Sequence, residues 1–252
     1  MQQHHTLAGR RVIVTGGGVG IGLGIARRFA RAGAQVAITT HSRPVQEVID
    51  ALAAEGVDVI GTQLDARSSA EVDRVVDDLT AQLGGLDVLV NNAGGLVARH
   101  PVAQMPDELW EQVMTLNVTS VFYASRAALR HLSEGGRILT ISSLAGKNGG
   151  GNGSAAYATA KAALDGFTRA LAKEVAPQGI AVNAIAPGLI LDTPFHETFT
   201  PVEAQRQQIA GIPVGRAGYP DDVAAAAEFY ARADSGFTTG TSLDLNGGAY
   251  FS

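Results

Sequence analysis

Short apolar runs alternate along the whole chain with longer segments of helical periodicity, and this alternation limits the possible folds more than any other feature. Seven runs rich in Val, Ile and Leu are too short for helices and continuously apolar, which is typical of parallel strands covered on both faces. They occupy residues 11–15, 35–40, 58–65, 86–92, 136–143, 180–188 and 241–248. The sequence therefore predicts a seven-stranded parallel sheet.

The segments between these runs predict the helices that cover the sheet, because apolar residues recur in them at helical spacing. They occupy residues 20–33, 44–56, 68–85, 106–132, 155–175 and 220–233. Right-handed crossovers then give an α/β doubly wound fold with its ligand crevice at the carboxyl ends of the strands. Residues 189–215 break the alternation and are predicted to be a substrate lid within one domain, residues 1–252.

Composition and charge limit the kind of ligand. A net charge of -5 argues against nucleic acid, whose binders usually carry a basic face. The chain has no Cys, no metal-binding His spacing, no apolar run long enough to span a bilayer and no signal-peptide pattern at its start. We therefore predict a cytoplasmic protein without a metal, nucleic-acid or membrane partner, whose ligand is a small molecule.

The stretch TGGGVGIG, residues 15–22, follows the first strand and opens the first helix. Helix-start N–H groups bind pyrophosphate, and Gly lets the ligand approach the backbone. The spacing is G-x-x-x-G-x-G rather than the common G-x-G-x-x-G. The predicted dinucleotide contacts in this loop are Gly16, Gly18, Gly20, Ile21 and Gly22. A tight turn that binds no ligand is the alternative.

The end of the second strand indicates which dinucleotide binds. An acidic side chain there binds the ribose 2′-hydroxyl of NAD, but this chain has Thr39, Thr40, His41, Ser42 and Arg43. No carboxylate would repel a 2′-phosphate, and Arg43, with His41 nearby, can bind one. The sequence favours NADP(H) over NAD(H), although the glycine loop itself contains no basic residue.

A second motif, YATAK, places Tyr157 and Lys161 on one face of a predicted helix. Random placement of five Tyr and three Lys residues predicts only about 0.06 such pairs. Hydride transfer between a nicotinamide and a carbonyl carbon also requires a proton to move to or from the oxygen. A nearby ammonium favours the phenolate and lowers the pKa of a Tyr hydroxyl. The pair therefore predicts an acid/base Tyr tuned by Lys.

Hydrogen-bond donors for the reacting oxygen are expected at the same edge of the sheet. Ser143 ends the fifth strand, and Asn91 and Asn92 end the fourth, so all three are predicted at the mouth of the crevice. Ser142 is more typical of a hydrogen-bonding residue at a strand end.

Jointly, these residues resemble the short-chain dehydrogenase/reductase family in its shorter, single-domain form. The motifs TGGGVGIG, NNAG (91–94), LNVTS, ISS, YATAK, NAIAPG and GTSLDLNGG follow the family order over nearly the whole chain. The resemblance implies a Rossmann-like fold and an NAD(P)-dependent oxidoreductase interconverting a ketone and a secondary alcohol. It also implies a homo-tetramer whose interfaces use the helices around Asn117 and Tyr157.

The resemblance further implies a role for each matching residue. Ser143 would polarise the substrate oxygen, Tyr157 would be the general acid/base, and Lys161 would also hold the nicotinamide ribose. Asn117 would support Lys161 through a water-linked proton relay. The cofactor contacts it implies are Asp65 at the adenine, Asn91, Ala93 and Gly94 at the adenosine ribose, and Pro187, Gly188 and Thr193 at the nicotinamide.

Three departures from the family pattern stand out. Ser143 precedes Tyr157 by 14 residues where 13 is frequent, and the interval from Pro-Gly to Thr193 is one residue longer than usual. We expect the first to be a loop insertion. Asn246 stands where Asp is common, which concerns the C-terminal turn rather than the chemistry.

The substrate is expected against Leu96, Val97, residues 147–153, Leu189, Phe195 and His196. This mixture favours a small polar ketone or alcohol, such as a sugar or sugar acid, with Arg99 or Lys147 near an anion. Both cations are also typical of a solvated surface. A 3-oxoacyl thioester is the alternative substrate, since carrier-protein reductases share every motif above.

Other functional classes fit less well. A hydrolase would need a G-x-S-x-G elbow or a metal motif. Within the family, an enoyl reductase would place Tyr and Lys farther apart, and a halohydrin-cleaving relative would carry Arg at position 161. A non-catalytic dinucleotide sensor would need the glycine loop but has no use for the catalytic residues together.

Overall fold

The computed structural model describes residues 6–252; residues 1–5, which contributed to the prediction of location, lie outside the described residues. Seven parallel strands form one sheet in the order β3-β2-β1-β4-β5-β6-β7. The strands are β1 Arg11–Val14, β2 Gln35–Thr40, β3 Ile60–Gln63, β4 Val88–Asn91, β5 Arg137–Ile141, β6 Ala181–Pro187 and β7 Ser242–Leu245. The predicted seven-stranded, doubly wound sheet is confirmed.

Helices cover both faces of the sheet, and seven of the ten described lie within the segments predicted as helical. They are α1 Gly20–Arg31, α2 Val45–Ala54, α3 Ser69–Leu83, α4 Asp107–Met114, α5 Ser120–Ala128, α6 Ala145–Asn148, α7 Ala155–Val175, α8 Pro194–Phe199, α9 Val202–Ala210 and α10 Pro220–Ala231. Helices α8 and α9 occupy the segment predicted as a lid. None of the helices described has the length and hydropathy needed to cross a bilayer.

Alternate side chains of β1 enter two separate core layers, as strand geometry dictates. Val12 and Val14 pack in the layer that contains α1, α2 and α10, whereas Ile13 packs in the layer that contains α3, α5 and α7. All three are fully buried. Burial on both faces explains why the strands read as continuous apolar runs.

The strand order reverses between β1 and β4, which pair in parallel through Val12 and Val88. This reversal makes the topological switch point, where the loops after the two strands diverge and open a crevice. The loops that meet there are the glycine loop after β1 and the NNAG segment after β4.

The prediction of a single long helix over residues 106–132 is wrong in one respect. A π-helical turn, Thr115–Thr119, separates α4 from α5, and Asn117 lies at its centre. Such turns insert an extra residue without breaking the helix and occur often at functional sites. The apolar periodicity does not reveal this turn because the residues on both sides remain helical.

Candidate active site

A cleft of about 930 Å³ lies at the carboxyl ends of the strands. Most of the sequence-predicted site residues line it. They are Gly16, Gly18, Gly20, Ile21, His41, Arg43, Asp65, Ala93, Gly94, Ser143, Tyr157, Lys161, Pro187, Gly188 and Thr193. Three of the predicted residues, Gly22, Asn91 and Asn117, lie behind this wall.

The glycine loop is shaped to present bare backbone to the cleft. Gly16 and Gly20 have φ angles of +65° and +53°, which favour glycine. The Gly17 N–H donates to the Thr39 carbonyl oxygen (2.9 Å), which ties the loop to β2. Helix α1 begins at Gly20 with no side-chain cap among residues 6–252 and no acidic residue in its first turn. Its N-terminal N–H groups are therefore suited to a pyrophosphate.

Asn92 fixes the opposite side of this loop. Its amide Nδ2 donates to the carbonyl oxygens of Thr15 and Gly16, both at 3.0 Å. In return, Thr15 Oγ1 accepts the N–H groups of Asn92 and Ala93. Asn92, which the sequence offered only as a candidate donor to substrate, instead joins the loops after β1 and β4.

The side chain of Asn91, which was predicted to border the cofactor, does not line the main cleft. Its side chain is buried and donates through Nδ2 to Ser125 Oγ (3.0 Å), below the main cleft. The reason is the alternation along β4, which directs Asn91 to the α5 side of the sheet.

Gly22 is packed beneath the loop and does not line the cleft. A Cβ atom there would clash with the Gly16 carbonyl oxygen and Asn92 Nδ2. Gly22→Ala is therefore expected to lower the free energy of unfolding by about 1–3 kcal/mol and to weaken NADPH binding at least tenfold. Chemical denaturation and a fluorescence titration measure the two effects.

Gly166→Ala is the matched control for this substitution. Gly166 lies in α7, and a Cβ there would meet open space. We expect this variant to be unchanged or slightly more stable, because Ala favours helices over Gly by about 1 kcal/mol. Unaltered stability and NADPH affinity in Gly22→Ala would contradict the packing argument.

Basic side chains line the cleft where β2 and β3 end. Arg43 reaches back to the glycine loop, where its Nη1 donates to the Gly18 carbonyl oxygen (3.3 Å), and Thr40 Oγ1 donates to the Arg43 carbonyl oxygen (2.8 Å). The positive charge that the loop sequence lacks is thus supplied from the end of β2. This placement is not visible from sequence spacing.

Asp65 is paired with Arg67, a cleft residue that the sequence analysis missed. Two hydrogen bonds of 2.8 Å join the Arg67 guanidinium to the Asp65 carboxylate. Hydrogen bonding by Arg67 lowers the pKa of Asp65 to about 2. The position of Arg67, two residues after Asp65 at the carboxyl end of β3, was the available signal for a site residue.

Tyr157 lies on the inner wall of the cleft with only 8% of its surface exposed. Burial raises the pKa of its hydroxyl to about 12, while a hydrogen bond with Ser143 acts in the opposite direction. The sequence predicts a Tyr157 pKa lowered by Lys161, whereas burial in this structure acts in the opposite direction. At neutral pH the hydroxyl carries its proton beside Ser143.

Lys161 is buried in the wall of the cleft near Tyr157. Its Nζ donates to the Ile141 carbonyl oxygen at 2.8 Å and lies 5.7 Å from the centroid of the Tyr157 ring. Burial lowers its pKa to about 8. Ser142 Oγ donates to the Lys161 carbonyl oxygen (3.0 Å), which agrees with the structural role predicted for Ser142.

Asn117 is fully buried behind Lys161. Its Nδ2 donates to the carbonyl oxygens of Gly95 and Val113 (both 2.9 Å), and its Oδ1 accepts the Gly95 N–H (3.0 Å). A Cβ atom on Gly94 would come within 2.8 Å of Asn117 Oδ1 and 3.4 Å of Lys161 Nζ. The π-helical turn therefore brings Asn117 and Lys161 together beneath Gly94.

The extra residue before Thr193 is absorbed locally. Asp192 adopts a left-handed φ of +56°, and Thr193 Oγ1 donates to the Ile190 carbonyl oxygen (2.9 Å). Thr193 thereby remains on the cleft wall opposite the glycine loop. The longer interval between Ser143 and Tyr157 is absorbed similarly, in a turn where Gly149, Gly150 and Gly153 have positive φ angles.

Asn246, the third departure, organises the C-terminal turn as predicted. Its Oδ1 accepts the N–H groups of Gly248 and Tyr250, and its Nδ2 donates to the Tyr250 carbonyl oxygen.

Aromatic side chains of α8 face the catalytic residues. The Phe195 ring lies 5.6 Å from the Tyr157 ring and 4.9 Å from the His196 ring, measured between centroids. His196 Nδ1 is hydrogen-bonded to Thr200 Oγ1 (2.9 Å). Burial, and secondarily the charge of Arg99, lowers the pKa of His196 to about 4, so it is neutral at pH 7.

Of the two cations predicted near a substrate anion, only Arg99 lines the cleft. Lys147 Nζ instead lies 2.7 Å from Asp244 Oδ1, in an ion pair whose side chains are 11% and 19% exposed. This pairing removes Lys147 from the predicted anion site. Val97 also lies outside the cleft wall, whereas Leu96, Leu189, Phe195 and His196 are part of it.

Known proteins are similar to this chain over nearly its whole length. A family model described as enoyl-(acyl-carrier-protein) reductase matches residues 17–250. Relatives include 3-oxoacyl-(acyl-carrier-protein) reductase FabG of Escherichia coli strain K12, which is 39% identical over 246 residues, or 96% of this chain and 98% of the relative. The Pseudomonas aeruginosa protein of the same name is 38% identical over 251 residues, or 98% and 100%.

Solved structures also superpose on this chain over nearly its whole length. A dehydrogenase/reductase from Sinorhizobium meliloti 1021 superposes with a TM-score of 0.91 at 35% identity and covers 100% of both chains. A short-chain dehydrogenase from Burkholderia cenocepacia J2315 in complex with NADP superposes with a TM-score of 0.89 at 37% identity, over 97% of this chain and 99% of that one.

Proposed function

Because this chain belongs to the short-chain dehydrogenase/reductase family and is an NAD(P)-dependent oxidoreductase of alcohols and ketones, we propose that it uses NADPH to reduce a small polar ketone. The observation that carries the proposal is the Tyr157 hydroxyl beside Ser143 on the wall of the cleft, where burial raises the pKa of that hydroxyl. A ketone oxygen placed there would meet two hydroxyl groups. Reduction requires a proton donor at that oxygen.

The cleft fits a dinucleotide for two reasons. The space around Gly16 excludes side chains, and basic side chains line the end of the cleft where we place the adenosine. When bound, the dinucleotide supplies the hydride. Ser143 Oγ–H donates a hydrogen bond to the ketone oxygen, and Tyr157 transfers its hydroxyl proton to that oxygen as negative charge develops. Lys161 holds a positive charge near the resulting phenolate, and Asn117 fixes the backbone at Gly95 above Lys161.

The preference for NADP(H) over NAD(H) rests on the adenosine end. Arg43, which contacts the Gly18 carbonyl oxygen, and Arg67 both line the cleft, and the carboxylate of Asp65 is already paired with Arg67. Two guanidinium groups there suit a 2′-phosphate, because Arg binds phosphate through several N–H donors. The NADP complex of the Burkholderia cenocepacia relative is consistent with this choice.

Arg43→Ala is expected to raise the dissociation constant of NADPH about tenfold or more while changing that of NADH less than about twofold, because only NADPH carries the 2′-phosphate. Arg67→Ala should likewise raise the dissociation constant of NADPH more than that of NADH. Arg74→Ala is the matched control, since Arg74 is exposed and paired with Asp78 on α3. Affinities for NADPH and NADH are measured by fluorescence titration. An equal loss of affinity for both cofactors would contradict the proposed phosphate contact.

A 3-oxoacyl thioester is the second candidate substrate, and the curated relatives favour it over a sugar. Several of them, at 37–39% identity, are named 3-oxoacyl-(acyl-carrier-protein) reductases. An enoyl reductase, the description of the matching family model, is disfavoured by the four-residue spacing of Tyr157 and Lys161. The cleft near Tyr157 includes both apolar residues such as Leu96 and Phe195 and polar ones such as Arg99 and His196.

The proposed activity is tested by measuring NADPH oxidation with keto sugars, keto acids, diketones and an acetoacetyl thioester. Faster turnover of keto sugars or keto acids supports the small polar ketone. Faster turnover of the thioester replaces it with the second candidate. Binding of NADPH without reduction of any carbonyl would favour the dinucleotide sensor.

The lid and the homo-tetramer remain predictions. Helices α8 and α9 contribute Phe195, His196, Gln207 and Gln208 to the cleft wall, which supports a role in covering the substrate. Phe122 on α5 and Phe229 on α10 are 44% and 49% exposed, which is consistent with further packing between copies.

A further inference from the structure

The charged side chains that line the cleft are mainly cationic, although the chain carries a net charge of -5. Among the described residues that line it, Arg43, Arg67, Arg99 and Lys161 are cationic, and the one carboxylate is Asp65, which is paired with Arg67. A positively charged cleft on a protein of negative net charge attracts anions and raises their local concentration. Arg43 and Arg67 lie at the adenosine end, so Arg99 is left for another anion.

The surrounding loop holds Arg99 against the wall without neutralising it. Arg99 Nη1 donates to the Asn152 carbonyl oxygen (3.0 Å), and the His100 N–H donates to the Gly153 carbonyl oxygen (2.8 Å). Cβ atoms on Gly151 and Gly153 would approach Arg99 Nη1 at 3.0 Å and Arg99 Cβ at 3.2 Å. The bare backbone of this loop, which contains the extra residue, therefore makes room for Arg99.

The segment before Arg99 is also held in a strained shape. Val97 has a φ of +65°, and the Ala98 N–H donates to the Leu96 carbonyl oxygen (2.8 Å), which closes a γ-turn. A β-branched residue rarely adopts this conformation, and such strain persists where the surrounding structure fixes it, often at ligand sites. The turn buries Leu96 in the cluster that contains Tyr157 and directs the chain to Arg99 on the cleft wall.

The wall of the cleft extends from Tyr157 to α8. The Phe195 ring contacts the rings of both Tyr157 and His196, and Arg99 lines the same cleft. A ketone oxygen at Tyr157 would thus place the rest of a small substrate along Phe195, with its far end near Arg99.

We propose that Arg99 is a specificity-determining residue that binds an anionic group, a carboxylate or phosphate, at the far end of the ketone substrate. This inference rests on the proposed ketone reduction and names the substrate class. The remaining guanidinium N–H groups of Arg99 form the anion contact, and His196 lines the same cleft.

The test compares each anionic probe with a neutral counterpart. The pairs are 3-oxobutanoate and 4-oxopentanoate with their methyl esters, and dihydroxyacetone phosphate with dihydroxyacetone. Binding of each probe is measured by calorimetry with NADP⁺ present, and turnover is measured with NADPH. The carboxylate and phosphate pairs distinguish the two kinds of anion.

In the wild type, we expect at least one anionic probe to bind about tenfold or more tightly than its neutral partner, as charge-assisted hydrogen bonds require. Arg99→Gln should abolish this preference through KM while leaving the neutral probe within about twofold. Gly151→Ala, which displaces the guanidinium, should reduce the preference partly. Arg206→Gln is the control, because Arg206 is 74% exposed on α9.

Equal binding of both members of every pair, or a preference that survives Arg99→Gln, would overturn the inference. Anion-selective binding that depends on Arg99, without turnover of any probe, would support the inference and count against ketone reduction. Turnover without charge preference would leave ketone reduction intact and remove the role of Arg99.

Discussion

Tyr157→Phe is expected to lower kcat for ketone reduction by about 10²–10⁴-fold while changing the dissociation constant of NADPH less than about twofold. The substitution removes the hydroxyl proton but retains the ring, which packs against Phe195 in the cluster containing Leu96 and Ala160. Because burial raises the pKa of Tyr157 to about 12, the wild-type hydroxyl is protonated at neutral pH and ready to act as an acid. Steady-state kinetics and a cofactor titration measure both quantities.

Tyr219→Phe is the matched control for the loss of a hydroxyl group. Tyr219 is 42% exposed, precedes α10 and lies outside the cleft wall. We expect its kinetics to match the wild type. Activity that survives Tyr157→Phe would mean that another group supplies the proton and that the proposed site is not used.

Lys161→Met is expected to lower kcat by about 10²-fold or more and, in the opposite direction, to raise the melting temperature. Burial lowers the pKa of Lys161 from 10.5 to about 8, so the folded state disfavours its charge. Removing that penalty at pH 7 gains at most about 3 kcal/mol. Loss of the hydrogen bond to the Ile141 carbonyl oxygen offsets about 1 kcal/mol. The net gain of at most about 2 kcal/mol corresponds to an increase of at most roughly 4–8 °C.

The pH dependence of this gain follows from the direction of the pKa shift. Between the folded pKa of about 8 and the unfolded value of 10.5, the unfolded chain binds more protons at Lys161, so wild-type stability rises with pH through that window. The advantage of Lys161→Met should therefore be greatest below pH 8 and decline toward pH 10.5. Thermal unfolding measured across this range tests the decline.

Lys173→Met is the matched control for this experiment, because Lys173 is exposed in the last turn of α7. It should change neither activity nor the pH dependence of stability. A lower melting temperature for Lys161→Met at pH 7 would show that the contacts of Lys161 outweigh the cost of burying its charge.

The sheet was predictable because its sequence signal is local. Buried parallel strands must be continuously apolar, and every one of the seven predicted runs contains an observed strand, within about two residues at most edges. The same holds for the positions of the glycine loop and of Tyr157 and Lys161, since strand ends and helical spacing place them at one edge of the sheet. The roles of these residues remain proposals.

Features that depend on contacts between distant segments were not predictable. The π-helical turn at Asn117 leaves the apolar pattern unchanged, and Lys147 is removed from the cleft by Asp244, almost 100 residues away. Asn92 joins the site through Thr15 and Gly16 in the loop after β1, and the side chain of Asn91 lies outside the main cleft because of its side of β4.

By itself, the sequence determined the order of strands and helices, the edge of the sheet where ligands bind, and the residue types available for hydride and proton transfer. These follow from hydrophobic periodicity and local turn chemistry, which act within a few residues. Only the tertiary structure decided which cations face the cleft and in which direction burial shifts the pKa of Tyr157. Desolvation and ion pairing depend on what surrounds a group in space, and that surrounding is assembled from segments far apart in the chain.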